Sequence, residues 1–174
     1  MKKQNLLFTA LAALLISTTL SGCGTKEVQP VAVDEKVDKC AICNMLVKDD
    51  KFAVELVQEN GKAMKFDDIG CLFAWAAKNG TDQVQQQFVR DYNTDEWVKI
   101  EKAAYVFHKD IMTPMAYNVI SFKEKADAEA FLKQHGQGSL LTYDDLTKHS
   151  WEMNKEMMKE KMEHNHSGSG MSGM

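Results

Sequence analysis

One order of local patterns occurs twice in this chain, and it restricts the fold more than any other feature. Residues 52–58 (Phe-Ala-Val-Glu-Leu-Val-Gln) alternate and are rich in β-formers. Asn60-Gly61 follows as a hairpin turn, and residues 62–67 run back as a partner strand. The apolar period then changes: Ile69, Leu72, Phe73, Trp75 and Ala76 mark a helix that ends near Asn79-Gly80, with Asp67 or Asp68 as its N-cap. Residues 83–92 read as a third strand. The same ββαβ order returns with strands at 103–108 and 116–122, a helix over 124–135 stopped by Gly136, and a strand over 138–143. A shift of 56 superposes Phe66 on Phe122, Ala74 on Ala130, Trp75 on Phe131 and Gly80 on Gly136. Each unit alone buries little surface. The expected fold is therefore α+β, with two duplicated ββαβ units packed together, followed by a C-terminal helix and a mobile tail.

The ends of the chain read differently. Met1-Lys2-Lys3 precedes an apolar run from Leu6 to Leu20 and then Leu20-Ser21-Gly22-Cys23. That run is short for a membrane span and broken by Thr9, Ser17, Thr18 and Thr19. Residues 1–22 are expected to be a lipoprotein signal peptide, with Cys23 lipidated as the first mature residue. Gly24 in place of Asp favours the outer membrane, facing the periplasm, in a cell with two membranes. Residues 23–37 read as a tether, 38–146 as the folded domain with halves of about 38–95 and 96–146, and 147–163 as the C-terminal helix. The Gly/Ser-rich residues 164–174 form the Met/His tail. A formal charge of -4 excludes a basic nucleic-acid binder as the default.

The unusual numbers are 11 Met and 4 Cys. With Cys23 acylated, three thiols remain, an odd number that no closed disulfide framework can use up. Cys40-Ala41-Ile42-Cys43 reads as a redox pair, half of a zinc site or a metal motif, and a zinc site would need Cys71 and a distant His such as His108. Met45, two residues beyond Cys43, lies on the same face if the chain is extended. Thiolate and thioether together are soft donors that select Cu(I). Met112-Thr113-Pro114-Met115 sets two methionines around a proline that stiffens the loop. Neither motif has a counterpart in the other half, so a site built from both draws one element from each, which suits a cleft between them. Cys71, in the first turn of the first helix, reads equally as a third thiol or a buried small residue. Met112 and the tail residues His164, His166, Met171 and Met174 are candidate auxiliary ligands.

The lipobox, Cys40-x-x-Cys43-Asn44-Met45, Phe66-Asp67-Asp68-Ile69-Gly70, Trp75 and Thr113-Pro114-Met115, in that order, resemble the NosL family of accessory lipoproteins of nitrous-oxide reductase. The resemblance covers residues 20–145, and Asn44 stands where the family typically has Gly. It implies paired ββαβ units similar to part of organomercurial lyase, and no enzymatic activity. It also implies Cu(I) binding by Cys43, Met45 and Met115, with Cys40 as fourth ligand or redox partner, and delivery to nitrous-oxide reductase with an ABC-type membrane complex as assembly partner. The alternative from the residues is an envelope thiol–disulfide protein using Cys40 and Cys43.

Overall fold

Two antiparallel sheets repeat one ladder. The computed structural model describes residues 27–159. Among them, strands β1 (Val54–Gln58), β2 (Ala63–Phe66), β3 (Val84–Arg90) and β4 (Trp97–Lys99) form a sheet ordered β2-β1-β3-β4. Strands β5 (Ala104–Phe107), β6 (Val119–Phe122) and β7 (Ser139–Leu141) form a second, ordered β6-β5-β7. Helix α1 (Ile69–Asn79) follows β2, helix α2 (Lys125–His135) follows β6, and a short helix α3 (Tyr143–Leu146) follows β7. The orders β2-β1-β3 and β6-β5-β7 are the same, so the duplication expected from the sequence is present in the topology.

The two halves differ in their hairpins. Val54 pairs with Phe66 and Ala104 with Phe122, so corresponding residues are 50 apart before the hairpin loop and 56 apart after it. Six extra residues therefore sit in the second loop, which runs over 108–118 and carries Met112 and Met115. That length explains why Met115 has no partner in the first half.

One core spans both halves. Cys71, Leu72 and Trp75 of α1 pack with Leu56 and Phe66 of the first sheet and with Tyr105, Tyr117 and Val119 of the second unit. Full burial of each such large side chain contributes about 1.5–3 kcal/mol. A Cβ on Gly70 would lie 2.0 Å from the Tyr117 ring, so only glycine lets α1 approach the second half this closely. Beyond the core, Tyr92 N–H donates to Ser121 O at 2.8 Å, and Lys123 N–H donates to the buried Asp91 carboxylate at 2.7 Å. These bonds fasten the end of β3 to β6. At the far end of α2, Gly136 takes a left-handed φ of 73° and its N–H closes the helix on Leu132 O.

Three boundaries depart from the sequence reading. β4 pairs with β3, so the first unit runs to Lys99, past the break read at 95/96. Of the tether read over 23–37, residues 27–37 are described and their middle is docked: Val31 N–H donates to both Glu55 oxygens at 3.0 and 3.1 Å. The cause is the buried Glu55–Lys65 ion pair on facing positions of β1 and β2, which recruits Val31 N–H and Val31 O to complete its hydrogen bonds. The helix read over 147–163 begins only at residue 155. Before it the chain is pulled across the domain by Trp151, which stacks on Phe73 at 4.4 Å, and by Asn154, whose N–H donates to Ala116 O at 2.8 Å. Asn154 then caps the new helix, its Oδ1 accepting from Met157 N–H.

Candidate metal centre

The residues 38–47 close a tight loop. Cys40 N–H donates to Met45 O at 2.8 Å, Asn44 N–H to Cys40 O at 3.0 Å, and Asn44 sits at φ 62°. Asn tolerates this left-handed conformation better than most residues. Ala41 N–H donates to Lys65 O, which pins the loop to β2. The backbone thus turns between Cys43 and Met45, and the extended geometry that would set both on one face is not formed. Cys43 is half-buried and faces Asp67, while Met45 is 49% exposed on the rim.

The turn brings Cys40 and Cys43 to the end of β2, where Asp67 and the first turn of α1 supply two more groups. The Sγ atoms of Cys40, Cys43 and Cys71 and a carboxylate oxygen of Asp67 all lie within 4.8 Å of one another. All three cysteines are free thiols. Cys43 S–H donates to Asp67 at 3.3 Å to either oxygen. Of the two candidate caps, Asp68 is the one used: its Oδ1 accepts Gly70 N–H at 3.0 Å, which leaves Asp67 to the thiols.

The electrostatics follow from this crowding. Cys71 S–H donates to Cys40, and the Cys43 N–H adds a second donor, so the Cys40 thiol is pulled down to about 4 against its burial. Burial first, and then its neighbours Cys40 and Asp67, push Cys43 up to about 12. Cys71, held as the donor to Cys40 and buried, is pushed up strongly. Burial and the Cys40 charge bring Asp67 up to about 6. Within the metal-free cluster the Cys40 thiol is thus the one favoured to ionise, with Cys43 and Cys71 held toward their protonated forms, and a bound cation would take the place of those protons.

The second half contributes the wall opposite. Asp68 Oδ2 accepts from Thr113 Oγ1 at 2.7 Å and from Met115 N–H at 2.9 Å, and Thr113 Oγ1 accepts Asn118 N–H. These bonds seat the 108–118 loop beside α1. Between it and the cysteine loop lies a cleft of about 490 Å³ lined by Met45, Asp67, Met112, Thr113 and Pro114 among others. The cleft draws one wall from each half.

A model of the NosL family matches residues 30–151. The chain belongs to the NosL family. Among solved structures it is similar to the crystal structure of the copper chaperone NosL from Shewanella denitrificans, at 27% identity and a TM-score of 0.59, over 67% of this chain and 93% of that one. No curated protein gives a significant match. The NosL match begins at residue 30, next to Val31 on the Glu55–Lys65 pair, and ends at Trp151, so it includes both docked segments that the sequence had assigned outside the domain.

Among the residues singled out in the sequence, Cys40, Cys43 and Cys71 meet in one cluster. Met45 and Met112 border the adjoining cleft, and Met115 is held through its backbone by Asp68. His108 does not join Cys71, which removes the zinc arrangement that needed both; it lines a separate cavity. Cys23, His164, His166, Met171 and Met174 lie outside the described residues. Asp67 was missed as a member of the cluster. The available signal was the doublet Asp67-Asp68, since one helix start uses one cap and leaves the other carboxylate for a different task.

Proposed function

We propose that this chain is a Cu(I)-binding chaperone, holding the ion at Cys40 and Cys43 with the thioethers of Met45 and Met115, and with Cys71 behind them. The observation that carries this reading is the cluster of three free thiols and Asp67 beside a methionine-lined cleft, in a NosL-family chain similar to a copper chaperone. Thioethers beside thiolates favour Cu(I), since Zn(II) takes thiolate, imidazole or carboxylate ligands and Ca(II) takes oxygen. Cys40 and Cys71 are buried whereas Met45 is exposed, so one side of the ion stays open to a partner's ligands. Such an opening suits transfer more than storage. Cu(I) titration against a competing chelator is the test: Cys43→Ser and Met115→Leu each weaken the tight site about tenfold or more. Unchanged tight binding in both variants overturns the assignment.

We extend the proposal to the setting of this activity. Anchored through a lipid on Cys23, the chain delivers copper for maturation of nitrous-oxide reductase, with an ABC-type membrane complex as assembly partner. The support is the lipobox and the motif order of the sequence. Among the described residues no helix is long and apolar enough to cross a membrane. In the tail, His164, His166, Met171 and Met174 act as weak auxiliary ligands, so removal of residues 164–174 lowers the number of weakly held copper ions and spares the tight one. A thiol–disulfide role for Cys40 and Cys43 fits less well, because Cys40, the thiol whose pKa is lowered, is only 2% exposed, Cys43 is raised, and disulfide exchange needs an accessible thiolate.

A further inference from the structure

We propose, on the Cu(I) reading of the thiol cluster, that residues 160–174 of this same chain dock in the cleft between the cysteine loop and the 108–118 loop and hand copper to the tight site. The cleft presents an uncovered apolar rim: Met45, Leu46 and Met112 all line it and are 49%, 52% and 62% exposed. Large apolar side chains gathered uncovered at one opening mark a binding surface. At about 490 Å³ the cleft matches pockets that take a small ligand, so it admits a short run of side chains. Two of the three exposed rim residues are methionines, and a thioether rim beside thiols suits a segment that brings a soft ion with it.

The fold delivers the segment to this place. Asn154 N–H donates to Ala116 O at 2.8 Å and Asn154 Nδ2 donates to Lys109 O at 3.0 Å, while Asn118 Nδ2 donates to Met157 Sδ at 3.4 Å. Residues 154–157 are thus seated on both ends of the loop whose middle, Met112-Thr113-Pro114, forms one wall of the cleft. The described chain stops two residues later, at Lys159. From Met157, His164 is seven residues on and Met171 fourteen, which at about 3.3 Å per residue allows spans of up to about 23 and 46 Å. A domain of this size is roughly 35 Å across, so the cleft lies within reach of these donors. Tethering through a short linker gives an effective concentration of about millimolar, which favours the chain's own segment over an untethered one with the same donors. His164, His166, Met171 and Met174 offer neutral imidazole and thioether groups that hold Cu(I) less tightly than a thiolate does, so exchange runs from the tail into the cluster. As each tail bond to copper breaks, a bond to Cys43 or Met45 forms, the Cys43 thiol proton passes to solvent, and the metal stays Cu(I) throughout.

The test compares the full chain with a chain ending at Glu163 and with a full-length chain carrying His164→Ala, His166→Ala, Met171→Leu and Met174→Leu. Neither change alters a described residue. Each protein is reduced and given one equivalent of Cu(I) from a chelator complex under anaerobic conditions. Two signals are read: the rate of Cu(I) transfer from the chelator, and amide hydrogen exchange over residues 45–46 and 111–115 after loading. The parent is expected to load about tenfold or more faster than both variants, and to exchange these amides several-fold more slowly. A loading rate or an exchange rate that either variant shares with the parent overturns the docking. Equal exchange in all three chains is the result if the rim is kept for a separate client protein. Such a failure leaves the Cu(I) reading intact, because that reading is decided by equilibrium titration of Cys43→Ser and Met115→Leu.

Discussion

Asp68 holds Met115 across the seam between the duplicated halves. One of its oxygens caps α1 through Gly70 N–H, and the other accepts Thr113 Oγ1 and Met115 N–H. The helix that carries Cys71 and the loop that carries Met115 are thus fixed to one buried carboxylate. Asp68→Ala removes an N-cap, costing about 1 kcal/mol. It also leaves two buried donors unpaired, at about 1–3 kcal/mol each. A loss of about 3 kcal/mol or more in urea unfolding is expected, with weaker Cu(I) binding than in the parent. Asp68→Asn keeps an acceptor oxygen and should fall between the two in both measurements.

Gly70→Ala tests the same seam from the helix side. The new Cβ would meet the Tyr117 ring at 2.0–2.4 Å, a contact that cannot persist. Tyr117 follows Ala116 at φ 55° and precedes Asn118 at φ 63°, so the loop has little freedom to yield. Overpacking of this kind costs about 1–3 kcal/mol. The unfolding midpoint should drop, and Cu(I) affinity should drop with it because the displaced segment carries Met115. A variant as stable as the parent would show that α1 can retreat from Tyr117.

The stability of the reduced, metal-free protein should depend on pH through the cluster. Asp67, raised from 3.8 to about 6, makes the folded state the better proton binder, so its contribution is lost as pH rises through that interval. Cys40, lowered from 9.0 to about 4, does the opposite: the unfolded chain holds the extra proton, and stability rises with pH up to 9.0. The two oppose each other below about 6, and Cys40 alone acts from there to 9.0. Above 9.0, Cys43 at about 12 and the still higher Cys71 keep protons that the unfolded thiols release, and stability falls. Urea midpoints should therefore rise from near neutrality to about pH 9 and then decline, and Cys40→Ala should flatten the rise.

The Glu55–Lys65 pair gives a prediction about the scaffold. Both side chains are buried, so Glu55→Gln leaves an unpaired ammonium and costs about 3–5 kcal/mol. Glu55→Met combined with Lys65→Met removes both charges and should recover most of that loss. Thermal unfolding of the single and double variants distinguishes the two. A double variant no better than the single would mean that the docking of Val31 on Glu55 contributes more than the pair itself.

Local chemistry explains why much of the fold was legible and part of the site was not. The first hairpin, the α1 start at Asp67-Asp68 and the glycine stops of both helices are written in adjacent residues, and the structure contains them. β4 has three residues and exists because Asp91 organises the turn before it, accepting from Asn93, Thr94 and the distant Lys123. Nothing in Trp97-Val98-Lys99 alone signals a strand. The same holds at the site. Cys40-x-x-Cys43 is visible as a motif, but the choice of Asp68 as cap and Asp67 as thiol partner depends on Thr113, 45 residues further on. The extended reading of Cys43 to Met45 failed because Asn44 adopts a left-handed turn that an alternation pattern does not register.

The docking of Val31 on the Glu55–Lys65 pair also sets a distance. For a chain held by a lipid on Cys23, as proposed, no more than the stretch from Cys23 to Val31 separates the anchor from this docked point, not the longer one to the start of the cysteine loop. At full extension that is roughly 25 Å, less than the width of the domain itself. The cleft would then be confined to a thin layer above the bilayer, and a soluble client would have to come down to the membrane surface to collect its metal.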